Sequence, residues 1–379
     1  MKIGLVLPYS IARGGGVKEI LFAMQEELIF RGHEAYIITP RPRDFEGKCP
    51  KNVLLVGAST DFNSPTHTTA QVSAGLNEDI DRILAEYNFD VLHFHEPWIP
   101  MLSRQILLRS SAPNVATFHA AIPDTIMSRT LAKAVTPYTK SLLKYIDIYT
   151  AVSDSAAEYI CSLTDKPVAL IPNGIDLKQF SAPKLQRDNK KRKMIFYIGR
   201  LEGRKGVSHL LHAFKLLQEN HPDTSLVIGG DGPDRDKLES LAVDLELENV
   251  EFLGFISNAQ KIKYLQKADL FCAPSLYGES FGVVLLEAMA CGLVTVAGDN
   301  PGYESVMRGL GAISLVNPKH TAEFARRLEL LLTEVDLRKI WRTWAENEIG
   351  QYSYPAVVSQ YEEVYAQAQV KRAERNAEA

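Results

Sequence analysis

MKIGLVLPYSIARGGGVKEILFAMQEELIF (1–30) runs from an apolar stretch through three adjacent glycines into a segment of helical period. Ile3–Leu7 is a short run without polar alternation, the pattern of a strand covered on both faces, and it stops at Pro8 and Tyr9. Beyond the glycines, Val17, Ile20, Leu21, Met24, Leu28 and Ile29 recur at helical spacing, and Gly32 supplies a stop. Gly14, Gly15 and Gly16 leave bare backbone where the helix begins, and uncovered N–H groups at a helix N-terminus attract anions. Spacing excludes a dinucleotide fingerprint: Gly14 and Gly16 give G-x-G, but Glu19 occupies the third glycine's place. A tight turn requiring positive φ is the plainer alternative, and it accounts for one or two glycines more easily than for three.

The alternation continues along the chain. Apolar runs IGLVL, AYIIT, NVLLV, VLHFH, VATFH, IYTAV and VALI in the first half, and MIFYIG, SLVIGG, VEFLGF, LFCAP, VTVAG and AISLV in the second, are separated by longer segments of helical period. The fold class is therefore α/β, with doubly wound parallel sheets over residues 1–175 and 176–351. Length agrees, since 379 residues exceed what one core usually organises. KLQRDNKKRK (184–193), with six basic residues and one acidic one, reads as an exposed connection; contact with a membrane or nucleic acid is the alternative. Residues 352–379 form a polar helix whose stripe of Val357, Tyr361, Val364 and Tyr365 docks back across the two units. A net charge of -4 gives no global reason for nucleic-acid binding. No stretch approaches the roughly 18 apolar residues of a membrane span, and Ile3–Leu7 is too short for a signal-peptide core, so a cytoplasmic location is expected. Cys49, Cys161, Cys272 and Cys291 have neither close pairing nor zinc spacing and are assigned no role.

In open parallel sheets ligands bind beyond the carboxyl ends of strands, so two such units are expected to face each other across a cleft. GRLEGRKG (199–206) follows MIFYI and places Arg200 and Lys205 around a glycine bend, where two cations can neutralise a diphosphate or simply be solvated. PSLYGESFGVVLLEAMACG (274–292) follows LFCA and leads through Glu279, Ser280, Phe281 and Gly282 into an apolar helix. Glu279 has helix-start stabilisation as a competing role. Glu287, two turns inside that helix, is expensive to bury without a hydroxyl or cation partner. His119 ends the strand VATFH. In VLHFHEPW, His93 and His95 share a face and Glu96 follows; a metal site there ranks below structural hydrogen bonding.

The order GGV, HEP, FH, AVSD, PNG, GRLEGRKG, GDGP and ESFGVVLLEAMACG resembles family 4 of the retaining nucleotide-sugar glycosyltransferases, over nearly the whole chain. The resemblance implies the GT-B fold of two facing Rossmann-like domains, the first for the acceptor and the second for the nucleotide sugar, with no metal or other cofactor. Within the family the chain is most similar to the phosphatidylinositol mannosyltransferases of the bacterial inner leaflet, through PYS…GGV, the HEPW-like strand end, VATFH and APS…GESFGVVL. Carried across, Gly15 and Gly16 approach the donor diphosphate and sugar, and Arg200 and Lys205 neutralise the leaving phosphate. Glu279 holds sugar hydroxyls with the N–H groups of Phe281, Gly282 and Val283, beside Ser280. Glu287 takes the ribose, Lys261 lies near the base, and His119 and Tyr9 belong to the acceptor side.

Three departures concern the acceptor. Where the mannosyltransferases carry a basic helix, Thr66–Glu86 has a single arginine; after His119 stands AAIPD instead of a lysine-containing loop; and GRLEGRKG is one residue shorter than theirs. Three readings follow. The first is transfer of mannose from GDP-mannose to a lipid such as phosphatidylinositol, with possible peripheral contact with the inner membrane leaflet. The second is transfer from a UDP-sugar to another glycolipid, polysaccharide or small acceptor, and the third a catalytically silent nucleotide-sugar binder.

Overall fold

The computed structural model describes residues 1–11, 15–42, 49–63, 69–74, 77–99, 101–121, 126–180 and 192–378. Gly14, 184–191 of the basic connection, and 122–124 of the loop after His119 lie outside them. The chain divides into two compact units, Met1–Gly174 with Tyr354–Ala379, and Ile175–Ser353.

The first unit contains β1 (Lys2–Val6), β2 (Glu34–Pro40), β3 (Val53–Val56), β4 (Ala58–Asn63), β5 (Thr69–Ala74), β6 (Val91–His95), β7 (Asn114–Phe118), β8 (Ile148–Ala151) and β9 (Val168–Leu170). Seven of these form a sheet in the order β3-β2-β1-β6-β7-β8-β9, parallel throughout, while β4 and β5 pair antiparallel with each other. The order reverses between β1 and β6, so residues just past these strands sit at a topological switch point. β6 and β7 are buried at every position, which is why their sequences lack alternation.

The helix Gly16–Phe30 buries Leu21, Met24, Gln25 and Leu28. Ile29, read from the sequence as part of the stripe, is 42% exposed: it is next to Leu28, a full 100° round the helix, and the sheet is already covered. The helix Tyr354–Glu378 adds Val357, Val358, Tyr361, Val364, Tyr365 and Ala368 to the core that holds Ile3, Leu5, Val91 and Val115. It packs on the helix Gly16–Phe30 and on β6, β7 and β8, and so completes the first unit. Asp147 accepts from Arg372 and Arg375 at 2.9 and 3.0 Å, and Glu362 pairs with Arg31 and His33 at 2.6 and 2.7 Å.

The second unit contains β10 (Met194–Ile198), β11 (Ser225–Gly229), β12 (Val250–Gly254), β13 (Leu270–Ala273), β14 (Thr295–Gly298) and β15 (Leu315–Val316) in one parallel sheet of order β12-β11-β10-β13-β14-β15. Its switch point lies between β10 and β13. The run AISLV, expected as a strand, contributes only Leu315 and Val316; Gly309–Ser314 is a 3-10 helix. Among the described residues no helix is long and apolar enough to cross a membrane.

Candidate functional site

In the second unit the loops after β10 and β13 are laced together at the switch point. Gly206 has φ +70 and lies so close to Pro274 that a Cβ would fall 2.0 Å from its carbonyl oxygen, so only glycine fits. The N–H of Leu276 donates to the Arg204 carbonyl at 2.8 Å. This contact brings Lys205 to Glu279, with Nζ 2.6 Å from Oε1. Arg204 Nη1 lies 3.5 Å from the same oxygen and donates to the Gly278 carbonyl at 3.2 Å, while its Nη2 meets Glu202 at 2.7 Å. Of the two cations expected from the sequence, Lys205 thus meets Glu279, whereas Arg200, with its side chain 53% exposed, lies 3.7 Å from Glu202. Arg204 joins this network as a third cation beyond the Arg200–Lys205 pair, and its place in the same G-R-K bend is the sequence signal for it. Burial first, and then the charge of Glu279, push the phenols of Tyr197 and Tyr303 above the usual tyrosine range, so both stay neutral.

The helix Val283–Ala290 opens on Gly282, whose φ is +107 and whose Cβ would lie 2.7 Å from Tyr303 Cδ1; no side chain caps it. Ser280 and Val283 are half-buried beside it, and Phe281 is buried edge-on to Tyr352 at 6.0 Å. Glu287, 8% exposed, has the cation that its burial requires: Lys261 Nζ lies 2.5 Å from Oε1. Lys261 comes from the helix Asn258–Lys267, fixed at its start by a Ser257–Gln260 capping box, and its ammonium sits 5.7 Å from the Phe180 ring centroid.

The first unit gathers its polar groups past β1, β6 and β7. Gly15 and Gly16 are exposed, and a Cβ at either would meet nothing within 4 Å. Gly15 has φ 176, extended backbone open to any residue, so the positive-φ turn does not explain these two glycines. Thr39 donates to the Tyr9 carbonyl at 2.7 Å, and burial, then the Glu96 charge, push the Tyr9 phenol above its ordinary range.

His93 is a fully buried strand histidine bonded to Tyr365 at 2.8 Å and Thr117 at 2.6 Å. His95 Nδ1 and His119 Nε2 are 2.8 Å apart, one nitrogen donating to the other. Burial pushes His119 down to about 4 against a smaller opposing effect of Asn173, and His95 well below the usual range, so both rings are neutral at pH 7. A bond from His119 Nε2 to a sugar therefore requires that nitrogen to give up His95. Among the described residues no group of three or more His, Cys, Asp or Glu could hold a metal ion. Glu96, which the sequence offers with His93 and His95 as a metal-site candidate ranked below structural hydrogen bonding, is the buried carboxylate of this cluster. It accepts the N–H groups of His119 and Ala120, both at 2.6 Å, and the indole N–H of Trp98.

Comparison with known proteins agrees on both units. Residues 14–179 match the family described as Glycosyltransferase Family 4, and residues 179–348 match Glycosyl transferases group 1. The chain is 32% identical over 369 residues to the phosphatidyl-myo-inositol mannosyltransferase of Mycobacterium leprae, covering 96% of each. It is also 32% identical to the enzyme of that name from Mycolicibacterium smegmatis, over 96% of this chain and 93% of the other. Among solved structures, Anabaena HepE in complex with UDP superposes with a TM-score of 0.75 at 18% identity, covering 97% of this chain and all (100%) of the other.

Proposed function

The chain belongs to glycosyltransferase family 4, and from that premise we propose that it transfers a hexose, mannose from GDP-mannose, to a lipid acceptor such as phosphatidylinositol with retention at the anomeric carbon. Its fold is GT-B. The observation that carries the reading is the union of Lys205, Arg204 and Glu279 at the β10–β13 switch point, beside the uncapped start of the helix Val283–Ala290.

As the bond between the anomeric carbon and the diphosphate breaks, negative charge grows on the leaving oxygen and positive charge on the sugar. Preformed cations and helix N–H groups stabilise the first, and groups already oriented cost no rearrangement at that moment. Lys205 and Arg200 serve the diphosphate without a metal ion; Glu279 and the N–H groups of Phe281, Gly282 and Val283 hold sugar hydroxyls; Glu287 and Lys261 serve the ribose and base. Gly15 and Gly16, which neither packing nor φ obliges to be glycine, leave room for the donor. The acceptor oxygen bonds to the anomeric carbon on the face the phosphate leaves, and its proton passes to the departing phosphate oxygen. Glu96 is only 2% exposed and held by three donors, which suits it poorly as the nucleophile of a double displacement. A lipid acceptor would put the reaction at the cytoplasmic face of the membrane, with the protein peripheral.

Calorimetric titration with GDP-, UDP- and ADP-sugars, followed by transfer from the best binder to phosphatidylinositol vesicles, tests the reading. Preference for a UDP-sugar removes mannose as the transferred group, and no binding by any of the three removes the enzyme.

A further inference from the structure

Glu96 leaves β6 in left-handed backbone, φ +53, a conformation glutamate seldom adopts, at the reversal between β1 and β6. That backbone accompanies a carboxylate only 2% exposed, whose Oε1 receives two consecutive N–H groups, those of His119 and Ala120, and whose Oε2 receives the Trp98 indole N–H. One side chain therefore ties the end of β6 to the first residues past β7, with the Tyr9 phenol past β1 close enough to feel its charge.

We propose that Glu96 is the positioning residue of the acceptor side, fixing the His119–Ala120 backbone against which the attacking hydroxyl is aligned. The proposal rests on the glycosyltransferase reading above. Three donors converge on two oxygens, a set that a carboxylate satisfies. A glutamine would turn its NH2 against the indole N–H, and protonation would add a hydrogen among donors. Burial outweighs the three bonds and pushes Glu96 up to about 7. The groups packed around it titrate elsewhere: burial takes His93 down to about 3, His119 to about 4 and His95 well below its usual value, and Tyr9 lies above the usual tyrosine range. Within this cluster, Glu96 is the group whose charge changes near neutral pH.

The experiment compares the wild-type protein with Glu96→Gln, Trp98→Phe and the double variant, using GDP-mannose and phosphatidylinositol vesicles. Wild-type kcat is expected to fall below pH 7 as Glu96 takes up a proton. Glu96→Gln is expected to lower kcat on the order of 100-fold, as misplacement of about 1 Å does, and to abolish that fall, with donor affinity within about twofold of wild type. Trp98→Phe in that background removes the N–H facing the new amide and recovers roughly tenfold. Wild-type kcat in Glu96→Gln, an unchanged acidic limb, or no recovery from Trp98→Phe overturns the proposal. Where Glu96→Gln does not fold, the double variant carries the test, a persisting acidic limb being the contrary result. Amide hydrogen exchange at His119 and Ala120 needs no turnover. It must accelerate in the glutamine variant, and unchanged protection overturns the proposal, whereas accelerated exchange without turnover in wild type overturns only the functional reading.

Discussion

Replacing Lys261 by methionine removes the cation from a carboxylate embedded in an apolar helix. Lys261 Nζ and Glu287 Oε1 are 2.5 Å apart, on side chains 17% and 10% exposed. At that distance and an effective dielectric constant of about 20, the direct attraction is about 7 kcal/mol, of which desolvation of the two ions offsets several kcal/mol. The substitution leaves Glu287 with its desolvation cost and takes away the compensating charge. Breaking a buried pair from one side costs about 3–5 kcal/mol, and the residual exposure puts this pair at the lower end, about 3 kcal/mol. For a unit of the size of Ile175–Ser353, that loss lowers the thermal midpoint by roughly 6–12 °C, readable by scanning calorimetry of the full chain. Glu287→Gln in the Lys261→Met background removes the buried charge and restores most of the midpoint. A Lys261→Met midpoint within about 2 °C of wild type refutes the reasoning.

Lys205→Ala should weaken nucleoside-diphosphate binding by about 1.5–3 kcal/mol, the worth of a charge-assisted bond, and unchanged affinity in calorimetry contradicts that role. Glycines of two kinds should separate. Gly15→Ala, with open space around its Cβ, should leave stability within about 0.5 kcal/mol of wild type while lowering transfer. Gly206→Ala, with φ +70 and a Cβ 2.0 Å from the Pro274 oxygen, should cost at least about 2 kcal/mol in urea titration. Tyr365→Phe removes the partner of His93 Nδ1 and should destabilise the first unit by about 1–3 kcal/mol; a midpoint equal to wild type would show that bond to be dispensable.

Each apolar run quoted from the sequence contains a strand, because a strand covered on both faces must be apolar at consecutive positions. The pair β4–β5 escaped for the converse reason: ASTDFN and TAQVSA are too polar to register as buried runs. AISLV had the composition of a strand, yet its first three residues are in a 3-10 helix. The site was legible wherever glycines and charges follow a strand directly, as in GRLEGRKG and PSLYGES. Its pairings were not. Lys205 and Glu279 are 74 positions apart and Lys261 and Glu287 are 26, and only the strand order brings such residues together. Glu96 was visible, but only as a candidate metal ligand. Its importance lies in accepting backbone N–H groups, and backbone carries no side-chain signature.

The helix Tyr354–Glu378 supplies part of the first unit's core, though the whole of Ile175–Ser353 precedes it in the chain. On the ribosome the second unit is therefore complete before the first can close. At about 5–20 residues per second, the intervening segment keeps the β6–β8 face waiting for its cover for roughly 10–40 s. Val91, Val115 and Ile148 remain short of the apolar partners that this helix supplies throughout that interval, so the β6–β8 face is aggregation-prone until the last residues emerge.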